Sequence, residues 1–246
     1  MASRGAGQTY VLVHGSWHGG WCWHKVVPLL EAGGHRAIAV TLTGQGERCH
    51  LLDPSVDLDT HISDVVNTLT MEDLRDVVLV GHSYAGLVIT GAAERAFDRL
   101  ARLVYLDALV PDDGQSGFDL NSPRFREGWE REAAEQGDGY KIAPRIGSSG
   151  DLDPVEAAWV RARLCPFPIA TMRQPVAVSA AVKALPSTYI RCSRSTFAET
   201  ARRCRAAGWP VLELDCGHNA MMTRPRELTE LLLADDPGRR MLGGRA

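Results

Sequence analysis

Lysine is nearly missing from this chain: only Lys25, Lys141 and Lys183 stand among its 27 basic residues, so the other 24 are arginines. The arginines are scattered among 30 acidic residues, and a net charge of -3 gives no electrostatic case for binding nucleic acid or an anionic membrane. No run approaches the roughly 18 apolar residues that span a bilayer. Met1 to Gln8 hold no apolar core of signal-peptide length, so export by that route is not expected. The six cysteines, Cys22, Cys49, Cys165, Cys192, Cys204 and Cys216, contain no Cys-x-x-Cys pair and read as reduced residues of a cytoplasmic protein. His18, His24, His35, His50 and His61 lack metal-ligand spacing, so no metal is expected. There is no internal repeat.

What remains is an ordinary globular composition, 45% hydrophobic and 23% charged, in 246 residues. That length suits one α/β domain with a large core. β-rich runs alternate with helical patterns, which predicts a mostly parallel sheet with helices on both faces. Strands are expected at Tyr10–Val13, Ala37–Leu42, Val77–Val80, Leu103–Leu106, Thr188–Cys192 and Val211–Leu214. Helices are expected at Trp23–Ala32, Asp59–Met71, Ala85–Ala96, Phe197–Ala207 and Pro225–Leu233, with Asp59 or Thr60 capping the second. The tail from Asp235 to Ala246, rich in Gly and Arg, is expected to fray. About eighty residues separate Asp107 from the strand at Thr188, too many for a connecting loop, so an inserted lid is expected over the strand ends at about 108–186.

Three segments carry chemistry. In Val78-Leu79-Val80-Gly81-His82-Ser83-Tyr84-Ala85-Gly86, a β-branched run meets a tight turn and passes into a helix, the pattern that lifts a serine hydroxyl above a sheet edge. Ala85 stands where glycine is usual, and an alanine still permits the close strand-helix approach. Near the N-terminus, Tyr10-Val11-Leu12-Val13 runs into His14-Gly15-Ser16-Trp17-His18-Gly19-Gly20, whose flexible backbone can aim an N–H at developing negative charge. Near the C-terminus, Asp215-Cys216-Gly217-His218 puts a histidine just past another strand. Oxyanion loop, serine, then histidine is the chain order of an α/β hydrolase.

These motifs, extended by Trp21-Cys22-Trp23 and Asn219-Ala220-Met221, resemble the plant methylesterase and hydroxynitrile lyase branch of the α/β-hydrolase superfamily, and more closely its bacterial esterase-like members. The resemblance covers nearly the whole chain and implies a single α/β-hydrolase domain over 1–246. It also implies a nucleophile at Ser83, a general base at His218, an oxyanion hole from the N–H groups of Ser16 and Tyr84, and no cofactor.

The third triad member departs from the plant pattern. There the carboxylate follows the strand after the lid, and here the matching positions read Ser193-Arg194-Ser195-Thr196. A histidine base needs a partner on its far nitrogen. Asp107 is the best alternative, because it ends the strand beside the nucleophile strand. Asp112 and Asp113 sit in a polar turn, Asp215 is only three residues from His218, and Glu199 lies too far along its helix. Water, a backbone carbonyl or another acid stay open, and Ser195→Ala is expected to do almost nothing.

The lid stretch holds Phe118, Phe125, Trp129, Tyr140, Trp159, Phe167 and Met172, which pack the lid or line a cavity. Trp17, Trp129, Trp159 and Phe167 are the residues expected to bind substrate, whose acyl or alcohol part is then apolar or aromatic. The expected activity is cofactor-free serine hydrolysis of a small-molecule ester or lactone. Two alternatives remain: a hydroxynitrile-lyase-like lyase or cyclase using serine and histidine as acid and base, and a non-catalytic small-molecule receptor. Plant lyases carry a lysine after the histidine, where this chain has Asn219, which weakens the cyanohydrin reading. Homodimerisation is left open.

Overall fold

Six strands pair into one sheet in a computed structural model that describes residues 7–145 and 151–234. They are β1 (Thr9–Val13), β2 (Arg36–Val40), β3 (Val77–His82), β4 (Leu100–Leu106), β5 (Ser187–Cys192) and β6 (Val211–Leu214). Their order is β6-β5-β4-β3-β1-β2, and every pairing is parallel. All six expected strands form. The tail expected to fray lies outside the described residues.

β3 is buried at every residue, as its unbroken apolar run requires of a strand covered on both faces. One core cluster packs α2 (Leu58–Met71) and α3 (Ala85–Ala96) against the sheet; the other packs α1 (Val27–Ala32) and the C-terminal helix Pro225–Ala234. The first helix is shorter than expected. Pro28 is tolerated only in a first turn, so the chain makes a 3-10 turn over Gly20–Trp23 and starts the α-helix at Val27. The second helix is capped two residues before Asp59, by Asp57, whose carboxylate accepts the Thr60 N–H at 2.9 Å.

Register brings the chemistry-bearing positions together. Val13 lies beside Gly81, His82 beside Leu106, Leu106 beside Ile190, and Cys192 beside Leu214. The residues that follow β1, β3, β4 and β6 therefore emerge side by side at the carboxyl edge of the sheet. Strand order reverses between β1 and β3, the crevice where open α/β sheets bind ligands.

Between β4 and β5 the chain forms α4 (Pro123–Gln136), α5 (Pro154–Arg161), short helices at Ala170–Arg173 and Ala180–Ala184, and two small antiparallel ribbons. This segment lies on the strand ends: the Cys165 N–H donates to the Trp17 carbonyl at 3.0 Å, and the Gln45 amide to Pro166 O at 2.8 Å. Among the described residues no helix is long and apolar enough to cross a membrane.

Candidate active site

Ser83 occupies the turn between β3 and α3 with φ +58, a left-handed conformation that costs a non-glycine residue energy and persists only when its surroundings fix it. Two backbone bonds do so: the Ser83 N–H donates to Leu106 O at 3.1 Å, and the Leu109 N–H donates to Ser83 O at 3.0 Å. Glycine is needed next to this turn. A Cβ on Gly86 would stand 1.8 Å from Leu109 O, so it is Gly86, one place later than the usual glycine, that lets α3 approach the end of β4. A Cβ on Gly15 would stand 2.8 Å from Ser83 Cβ, so the loop after β1 rests directly on the elbow. Tyr84 is the N-cap of α3, where helix amides are left without intrahelical acceptors. Ser16 and Tyr84 line the same cavity as Ser83.

His218 stands between a hydroxyl and a carboxylate. Its Nε2 accepts from Ser83 Oγ at 2.8 Å, and its Nδ1 donates to Asp107 Oδ2 at 2.6 Å. Asp107 is fully buried and, like Ser83, has a left-handed backbone, with φ +46. Its second oxygen, Oδ1, receives the Cys192 N–H at 3.1 Å and the Ser195 hydroxyl at 2.8 Å. Ser195, at a position where the plant pattern has the acid, thus touches Asp107 directly. The competing carboxylates point elsewhere: Asp112 pairs with Arg203, Asp113 accepts the Val178 N–H, Asp215 is exposed beside Ser193 and Arg194, and Glu199 pairs with Arg202.

Four more histidines lie buried around this edge. Burial pushes His14 down to about 3, and His18 and His61 down to about 4, and holds His82 well below its ordinary value. They act as neutral struts. The His14 Nδ1–H donates to Gly15 O at 2.8 Å while Nε2 accepts the Leu42 N–H at 3.1 Å; the His18 Nδ1–H donates to Ser16 O at 2.8 Å; the His82 Nε2–H donates to His218 O at 2.9 Å. In the unfolded chain each would bind a proton below its ordinary value of 6.5. The stability that neutral burial contributes is thus fully present above that pH and is lost as pH falls toward 4. Thermal unfolding followed by fluorescence should show the midpoint falling by several degrees between about pH 7.5 and 5.5. A flat midpoint across that window would contradict neutral burial.

The Ser83 hydroxyl opens into a cavity of about 290 Å³ whose apolar walls are Trp17, Leu109, Phe125, Trp129, Met172 and Phe197, with Asn121 and Thr196 as polar lining. Of the four residues expected to bind substrate, Trp17 and Trp129 line it. Phe167 does not; its fully buried ring packs behind the wall, 4.8 Å from Tyr84 and 6.1 Å from Trp17 and from Trp129. Trp159 does not either, because α5 folds back over the 3-10 turn at Gly20–Trp23 and lays this ring 5.2 Å from Trp21 and 4.8 Å from His24. Trp129→Ala should accordingly raise KM for an aromatic ester about tenfold, whereas Trp159→Ala should leave KM within about twofold, measured by steady-state kinetics. Leu109, Asn121, Thr196 and Phe197 were not singled out by the sequence. Their signal was strand order, since a neighbour pairing of β4 with β5 brings the loops after both strands to one cavity.

The sequence matches the alpha/beta hydrolase family over residues 10–231. The chain belongs to that family. It is 37% identical over 240 residues to a carbendazim hydrolyzing esterase from Nocardioides sp. (strain SG-4G), covering 92% of this chain and 98% of the relative. Methylesterase 1 of Arabidopsis thaliana is 39% identical over 118 residues, 47% of this chain and 45% of that protein. An extracellular alpha/beta-hydrolase from a Paenibacillus species superposes with a TM-score of 0.82 at 23% identity, covering 94% of this chain and 99% of its own, a likeness of fold alone. With an esterase relative over most of its length, this α/β hydrolase is a carboxylic ester hydrolase.

Proposed function

We propose that Ser83, His218 and Asp107 form the catalytic triad of a serine esterase acting on small apolar or aromatic esters. The observation that carries this reading is His218 bridging Ser83 Oγ at 2.8 Å and Asp107 Oδ2 at 2.6 Å. His218 removes the hydroxyl proton as Ser83 attacks the carbonyl carbon. The Ser16 and Tyr84 amides hold the oxyanion, and the protonated imidazole then returns the proton to the departing alcohol. Water, activated by the same histidine, releases the acid. Asp107 keeps the Nδ1 proton in place and stabilises the imidazolium. Residues 108–186 serve as a lid that supplies the aromatic wall and excludes water. A cytoplasmic location is supported by six cysteines that are all free thiols.

Flat aromatic walls suit a planar aryl group. The Nocardioides relative is named for hydrolysing carbendazim, so we include carbendazim among the candidate substrates. An acyl-enzyme makes a specific forecast. With methanol as a competing acceptor, esters sharing one acyl group but differing in alcohol should give the same ratio of methyl ester to acid. A ratio that follows the leaving group would rule out a common acyl-enzyme and favour direct acid-base chemistry.

A further inference from the structure

The loop that follows β5 holds no acid, yet it touches both partners of the proposed relay. Ser195 Oγ lies 2.8 Å from Asp107 Oδ1 and 3.3 Å from the Phe197 N–H, and the Phe197 ring lies parallel to the His218 imidazole, at 4° and 5.3 Å between centroids. The Phe197 amide can only donate, so it occupies a lone pair of Ser195 Oγ. The hydroxyl proton is then free for the carboxylate.

Asp107 is fully buried, and a buried carboxylate needs donors on both oxygens. Oδ2 has the His218 Nδ1–H; Oδ1 has the Cys192 N–H and the Ser195 hydroxyl. The Cys192 amide is fixed in β5, while the Ser195 proton comes from outside the strand. Two donors from different directions leave the carboxylate one orientation about its terminal torsion, the one that aims Oδ2 at the imidazole. With one donor gone, the group can turn and share its oxygens between strand and histidine.

We infer that Ser195 is a positioning residue that acts through Asp107 to hold the carboxylate in line with His218. This rests on Asp107 being the triad acid. A hydrogen bond to a charged group is worth enough for about a tenfold effect on the chemical step. Ser195→Ala should therefore lower kcat about tenfold with KM within about twofold, and Ser195→Thr, which keeps the hydroxyl, should restore most of it. In an Asp107→Asn background, assayed with an activated fluorogenic ester, Ser195→Ala should cost nothing further.

Full activity of Ser195→Ala would overturn the inference. So would a change confined to KM, failure of threonine to rescue, or an equal fractional loss in both backgrounds, which would mark a merely structural serine. Near-normal activity of Asp107→Asn alone is a separate outcome: it would remove the proposed triad acid, and this inference with it.

Discussion

Replacing Ser83 by alanine lowers turnover of a simple aryl ester by at least about three orders of magnitude while leaving the fold intact. The size follows from how the group works. A nucleophile and its base act as a unit, so without the hydroxyl at 2.8 Å, His218 has nothing to deprotonate but water, and the oxyanion amides alone contribute the residual rate. Stability should barely change. The backbone at position 83 has φ +58, alanine suffers there much as serine does, and the bonds to Leu106 and Leu109 are made by backbone atoms. Steady-state kinetics beside a thermal melt checks both halves. Retention of most activity would move the chemistry to a water or acid-base route.

Asp107→Asn should cut turnover by up to about four orders of magnitude with little change in KM. The hydrogen bonds already in place dictate the outcome. Cys192 N–H and Ser195 Oγ–H both donate to one oxygen of residue 107, so the amide of an asparagine keeps its oxygen there and turns its NH2 toward His218. That forces Nδ1 to accept and puts the ring proton on Nε2, facing Ser83, where a base is required. The wrong tautomer then dominates although every heavy atom stays in place. Kinetics with an aryl ester, paired with a crystal structure of the variant, tests this. Full activity with an unchanged structure would leave a serine-histidine pair without an acid.

Much of this could be read from residues alone because the signals are local. The six strands are apolar runs bounded by turn residues, and the Gly-His-Ser elbow and the glycine loop after β1 each sit within about ten residues. The position of Asp107 was legible for a subtler reason: a strand that pairs with β3 must bring its end beside Ser83. What escaped depends on packing between distant segments. Trp159 and Trp129 look alike in sequence, both on amphipathic helices of the 108–186 segment, and only the direction in which each helix folds back decides which ring meets the cavity. Ser195 escaped because a serine in a polar loop has no pattern; its contact with Asp107 appears only once the buried carboxylate is seen with an oxygen facing the loop after β5. The late start of α1 was different, since Pro28 is a local signal that places the first helical turn at Val27.

The most direct test of an activated serine is labelling by a fluorophosphonate probe followed by peptide mass mapping. The hydrogen-bonded chain Ser83–His218–Asp107 predicts one label per chain, on the peptide carrying Ser83, formed within minutes at neutral pH and slowed at least about a hundredfold by Asp107→Asn. No label on Ser83, or a label formed as fast in Asp107→Asn as in the unaltered protein, would contradict it.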